Sequence, residues 1–111
     1  MNIGDDESVE AALKDIQANE GAPTILVNNA GIAGAAPFEE TTFAEWERHM
    51  AVNARAPYFL CQRALPYLRQ SDAPAIVNIA SVVAEKGYEN QTAYGASKHA
   101  LLGFTKAMAK E

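Results

Sequence analysis

Two short apolar runs constrain this chain more than any other feature. Ile25-Leu26-Val27 and Ile76-Val77-Asn78-Ile79 are dominated by β-branched residues, the composition of buried strands. The stretch between them is far too long for a hairpin and carries a helical pattern. Thr42 and Glu45 fit a capping box, and Phe43, Trp46 and Met50 begin an apolar stripe. Together they predict one helix running to about Arg69, its stripe facing a core. Ahead of the first run, Val9, Ala12, Leu13 and Ile16 fall at helical spacing. Asp5 or Asp6 can cap that helix, and Gly21 with Pro23 can stop it. Behind the second run, a loop from Ser81 to Gln91 leads to a last helix over about Thr92 to Lys110. Strands that alternate with long helices pair in parallel through right-handed crossovers, so the fold class is α/β, part of a doubly wound parallel sheet. Ligands in such sheets lie beyond the carboxyl ends of the strands. Asn28 to Gly31 and Ser81 both fall at such ends.

Charge and cysteine count remove several classes of function. The chain has 9 Lys+Arg against 14 Asp+Glu, a formal charge of -5, which leaves no electrostatic footprint for nucleic acid or anionic lipid. Its single cysteine, Cys61, excludes an intrachain disulfide and a multi-cysteine zinc site. No apolar run reaches bilayer length. The acidic first residues do not resemble a secretory or transit signal, and the expectation is a cytoplasmic protein.

A few residues have the chemistry for a reaction. Tyr94 and Lys98 stand at i and i+4 in the last helix and share a face. A phenol exchanges its proton poorly near neutrality. A neighbouring ammonium favours the phenolate, and so does a place in the first turn of a helix. The pair is a candidate general acid/base, although an isolated Tyr-x-x-x-Lys is usually a surface coincidence. Ser81 directly follows a strand and can hydrogen-bond a carbonyl where charge develops; taken alone, it reads equally as a turn residue. Ala30 and Gly31 let a flat ligand approach the backbone. Asn53 lies four residues before Pro57, which has no N–H to give the Asn53 carbonyl. A kink is expected there, with that carbonyl free to hold a water. His49 and His99 read as structural or surface residues, with no carboxylate at a spacing that marks catalytic use.

Taken together, Asn28-Asn29-Ala30-Gly31, Asn53, Ser81 and Tyr94-Gly95-Ala96-Ser97-Lys98 resemble the short-chain dehydrogenase/reductase family, in its order and at its spacings. Ser81-Val82-Val83 through Gly87 to Tyr94 looks most like 3-oxoacyl-carrier-protein reductases, and Asn2-Ile3 fits that group too. The resemblance implies a Rossmann-type fold and hydride transfer between NAD or NADP and a carbonyl/alcohol pair on a small molecule. It makes Asn53, Ser81, Tyr94 and Lys98 the catalytic set. Tyr94 exchanges the proton, Lys98 assists it and binds the nicotinamide ribose, Ser81 polarises the substrate oxygen, and Asn53 holds a relay water. Asn28, Ala30 and Gly31 would line the adenosine side of the cofactor, with Asn2 and Ile3 beside the adenine. No metal is implied, and the complete enzyme would be a homo-oligomer.

The family's glycine-rich phosphate turn is missing from these 111 residues, as are its substrate lid and last strands. The expectation is a partial nicotinamide-binding domain, inactive alone, whose two strands each lack a neighbour. A non-catalytic α/β segment that associates through its helices is the alternative. An unrelated nucleotide-binding protein, such as a methyltransferase, has no use for a Tyr/Lys acid.

Overall fold

In the computed structural model, which describes residues 1–111, the two apolar runs form the strands expected of them. Strand β1 (Ile25–Asn28) pairs in parallel with β2 (Ala75–Asn78), Ile25 opposite Ala75 and Asn28 opposite Asn78. Helix α1 covers Asp6–Glu20. The Asp5 carboxylate accepts from the Glu7 N–H at its start, and Gly21 ends it at φ 86°, a conformation that favours glycine. Thr42 caps α2 (Phe43–Met50) by accepting from the Glu45 N–H at 3.1 Å. The last helix, α4, spans Thr92–Met108.

The long helix is one rod with a fault in it. Between α2 and α3 (Ala56–Leu68), residues Ala51–Arg55 form a π turn, in which the Ala56 N–H bonds the Ala51 carbonyl. Pro57 explains the position. It stands in the first turn of α3 and has no N–H to give a carbonyl of the preceding turn, so the rod changes register just ahead of it. The irregularity expected at Pro57 is therefore a change of helical register.

All the long helices that touch the sheet lie on one face of it. Leu26 and Ile76 point to that face and pack against Val9 and Leu13 of α1 and Leu60, Ala64 and Leu68 of α3. Burying each such leucine stabilises the fold by about 1.5–3 kcal/mol. The alternate residues point the other way: Ile25 and Val27 are 60% and 53% exposed, Val77 and Ile79 44% and 42%. The strands thus differ from the expectation of full burial. Period-two alternation sends every second side chain to a second face, and no layer in this chain covers it. The chain is accordingly a slab of 48 × 28 × 17 Å with a radius of gyration of 15.3 Å, against about 13 Å for a compact domain of this length. The stripe of α2 also departs from expectation. Phe43 and Trp46 are exposed, because α2 projects past the end of the sheet, and the α2 residue that turns inward is His49.

Polar side chains tie the layers together. Asn28 Nδ2 donates to Asn78 Oδ1 at 2.7 Å and to Cys61 Sγ at 3.2 Å. Asn78 Nδ2 donates to Thr105 Oγ1 at 2.8 Å, linking α4 to the same face. Burial pushes the Cys61 thiol up from its ordinary value, against the lowering effect of its hydrogen bonds with Asn28 and Asn78. No helix is long and apolar enough to cross a membrane.

Candidate active site

The carboxyl ends of both strands open onto the same edge of the slab. The Ile79 N–H bonds the Asn28 carbonyl there at 3.0 Å, so the two loops leave side by side. They are clipped again further out, where the Ala36 N–H donates to the Asn90 carbonyl at 2.9 Å. Asn90 adopts φ 64°, a left-handed conformation that asparagine tolerates better than most residues. The first turns of α4 lie between these loops.

Lys98 occupies the centre. It is only 6% exposed, and its Nζ donates to the Ile79 carbonyl at 3.0 Å. A buried ammonium satisfied by a single backbone acceptor retains two hydrogens to give. A Cβ added to Gly31 would come within 3.3 Å of Asn53 Oδ1 and 3.4 Å of Lys98 Nζ. The Gly31 backbone therefore approaches both groups more closely than most residues with a Cβ do. Tyr94 stands one turn before Lys98 on α4, half-buried. Ser81 precedes a short 3-10 turn, Val82–Ala84, and its Oγ accepts from the Val83 N–H at 3.4 Å. That turn packs on α4 beside Gly95, whose added Cβ would stand 3.9 Å from the Val83 carbonyl. Gly31, Asn53, Ser81, Tyr94 and Lys98 thus gather at one strand-end edge.

Asn53 sits in the π turn, 1% exposed. Its Oδ1 accepts from the Ile32 N–H at 2.9 Å, and its Nδ2 donates to the Ile32 carbonyl at 2.8 Å and to Ser97 Oγ at 3.0 Å. Ser97 in turn donates to the Tyr94 carbonyl at 2.7 Å. Ser97 is the residue that the motif reading left without a role. Its full burial inside α4, between Tyr94 and Lys98, appears only in the structure.

The residues expected around adenosine divide into two sets. Ile3, Asn28 and Ala30 line one cavity of about 180 Å³ beside the end of β1, whereas Gly31 faces Asn53 and Lys98. The Asn28 Nδ2, however, is spent on Asn78 and Cys61, so its side chain has only Oδ1 left to offer. Asn2 stands apart, its Oδ1 accepting from the Gly4 N–H at 3.1 Å. A larger space of about 320 Å³ between α3, α4 and the start of β2 is lined by Leu65, Leu68, Ile76 and Met108. It lies at the opposite end of the strand from the chemistry.

A sequence profile described as short chain dehydrogenase matches residues 1–111. The chain belongs to the short chain dehydrogenase family. Among relatives in this family, it is 36% identical over 110 residues to the D-threitol dehydrogenase of Mycolicibacterium smegmatis, covering 99% of this chain and 42% of that protein. It is 39% identical over 111 residues to the 3-oxoacyl-[acyl-carrier-protein] reductase FabG of Vibrio harveyi, covering 100% of this chain and 46% of that protein. A gluconate 5-dehydrogenase from Burkholderia cenocepacia, solved in complex with NADP and tartrate, superposes with a TM-score of 0.92 at 31% identity, over 99% of this chain and 43% of that one. The chain spans less than half the length of the short chain dehydrogenases it matches here. Its slab is an α/β Rossmann segment of that family.

Proposed function

We propose that the protein is a nicotinamide-dependent oxidoreductase that interconverts a carbonyl and an alcohol on a small molecule. The observation that carries this reading is the buried Lys98 ammonium, which has two hydrogens unspent, faces Gly31 and lies one turn from Tyr94. The nicotinamide, when bound, supplies or accepts the hydride. Lys98 fits its ribose hydroxyls, and Ala30, Gly31 and Ile3 fit the adenosine side. Tyr94 gives its phenolic proton to the carbonyl oxygen during reduction and takes it back during oxidation. Ser81 donates to the same oxygen. The Asn53 carbonyl, with no N–H from Pro57 to receive, is the place for a relay water that returns the proton from solvent.

In the full-length protein, Tyr94→Phe is expected to lower turnover by at least about a hundredfold while leaving nicotinamide affinity within about twofold. Turnover near the wild-type rate would refute the assignment.

The finer substrate reading is a 3-oxoacyl thioester, supported by the pattern from Ser81 to Tyr94 and by the similarity to the Vibrio reductase. Turnover of an acetoacetyl thioester against that of a polyol tests it, because the D-threitol dehydrogenase is similar to nearly the same degree. Either NAD or NADP satisfies the residues present. The reading includes a cytoplasmic homo-oligomer. In its favour, Cys61 is a free thiol, and exposed Tyr58 stacks edge-on with both Phe59 and Phe104 across α3 and α4. The same aromatic face favours association through helices as the second reading. A chain that assembles but shows no turnover with any carbonyl/alcohol pair would select it.

A further inference from the structure

One buried polar group plays no part in the chemistry above. His49, in the last turn of α2, is 3% exposed. Its Nδ1 lies 2.8 Å from the carbonyl oxygen of Glu45, one turn earlier. A carbonyl only accepts, so Nδ1 carries the ring hydrogen and Nε2 of the neutral ring is a bare acceptor. That nitrogen is buried and has no hydrogen-bond partner in the protein, an arrangement folded proteins seldom tolerate.

The surroundings of the ring connect it to the reaction. The imidazole stands edge-to-face against Tyr94, with centroids 6.2 Å apart and planes at 72°. A Cβ added to Gly34 would come within 3.2 Å of both Cε1 and Nε2. A cavity of about 30 Å³ lies here, and Gly34, Thr41, His49, Asn90 and Tyr94 are among its walls. Its size decides what it can hold. A water needs about 10–15 Å³ on this scale, so the space suits a water and is far too small for a sugar or an acyl group. Thr41, whose hydroxyl hydrogen goes to the Pro37 carbonyl and leaves Oγ1 to accept, also lines it. The cavity lies beneath the backbone bond from Ala36 to Asn90 that joins the two site loops.

We infer that His49 is a positioning residue for Tyr94, accepting through Nε2 a hydrogen bond from a buried water that locks the loop clip and the phenol ring together. The inference rests on Tyr94 being the proton-transfer group. His49 touches neither substrate nor cofactor; it fixes the ring that does.

The test compares two variants in the full-length protein. His49→Phe keeps the ring and its edge contact but removes the acceptor. It is expected to lower kcat on the order of tenfold, a fraction of what a full 1 Å misplacement costs, with the KM for the nicotinamide unchanged. His49→Gln places an amide oxygen near the Nε2 position and is expected to recover most of the loss. A high-resolution crystal structure of the wild type is expected to show an ordered water on Nε2. The ¹⁵N spectrum of the imidazole is expected to report the Nδ1–H tautomer. Wild-type kcat in the Phe variant, equal losses in both variants, or a dry Nε2 would each overturn the inference. If the Phe variant does not fold, the water and the tautomer still decide it. A full-length wild type without turnover marks failure of the functional reading; an active wild type with a neutral Phe variant marks failure of this one.

Discussion

Asn53 and Ser97 share a 3.0 Å hydrogen bond across 44 residues of sequence. It closes a chain of contacts from the Ile32 backbone, through the π turn, to the carbonyl of Tyr94. The loop after β1 and the helix that carries Tyr94 are therefore fixed to each other by side chains that need not touch a ligand.

Asn53→Ala removes both bonds to Ile32 and leaves part-buried backbone groups without those partners. A loss of about 3 kcal/mol is expected, read by denaturant unfolding of the full-length protein. Ser97→Ala is expected to cost about 1 kcal/mol. The double variant should cost less than the sum, because both residues serve one network. Strict additivity would contradict the coupling.

Gly31→Ala puts a methyl group within 3.3 Å of Asn53 Oδ1 and 3.4 Å of Lys98 Nζ. The Lys98 ammonium can yield by a few tenths of an ångström, so stability should fall by under about 1 kcal/mol. The displaced ammonium should show instead as a raised KM for the nicotinamide. A KM equal to that of the wild type would mean that Gly31 is not pressed against a working group.

Fold and site were legible in the sequence to different depths. The strands, the Thr42 cap and the Tyr94–Lys98 face were readable because each is a local pattern, decided within one or two turns. Ser97 and His49 were not. The burial of Ser97 depends on Asn53 and that of His49 on Gly34, and no periodicity within a helix records a partner in another segment. The bare sheet face escaped for the same reason. Ile25 and Val27 have the composition of a buried strand, but what covers a face is not written in the strand itself. Pro57 announced a fault in the long helix. Its form, a π turn, depends on how both halves of the rod pack, and so appeared only in three dimensions.

Burial raises the Cys61 thiol above its ordinary value of 9.0, so the folded state favours the protonated form. The resulting stability is fully present below about pH 9 and is lost as pH rises through the folded value. Unfolding free energies should therefore fall more steeply between pH 8 and pH 10 in the wild type than in Cys61→Ala. Iodoacetamide should label the native thiol slowly at pH 8 and rapidly in denaturant, because the thiolate is the nucleophile. Parallel pH profiles in the two proteins would contradict the shift.

The 111-residue chain alone presents two strands with open edges and one uncovered apolar face. Exposed edges and faces of this kind template association. Sedimentation velocity should show concentration-dependent aggregates, and a dye that fluoresces in apolar surroundings should bind. A sharp, cooperative thermal transition from a monomer would show that the slab is self-sufficient.

The π turn at Ala51–Arg55 gives the rod two phases. An α-helix turns by about 100° per residue, so one additional residue in a turn rotates everything downstream by that angle. Ahead of the turn, the inward residue is His49, aimed at the ring of Tyr94. Beyond it, Leu60, Ala64 and Leu68 are inward, aimed at the sheet. Forcing the same residues into plain α register would turn one half of the rod out of phase, so that it could satisfy the reactive end or the core but not both. The local irregularity works as a gear offset, by which a single element answers to two surfaces that do not share its period.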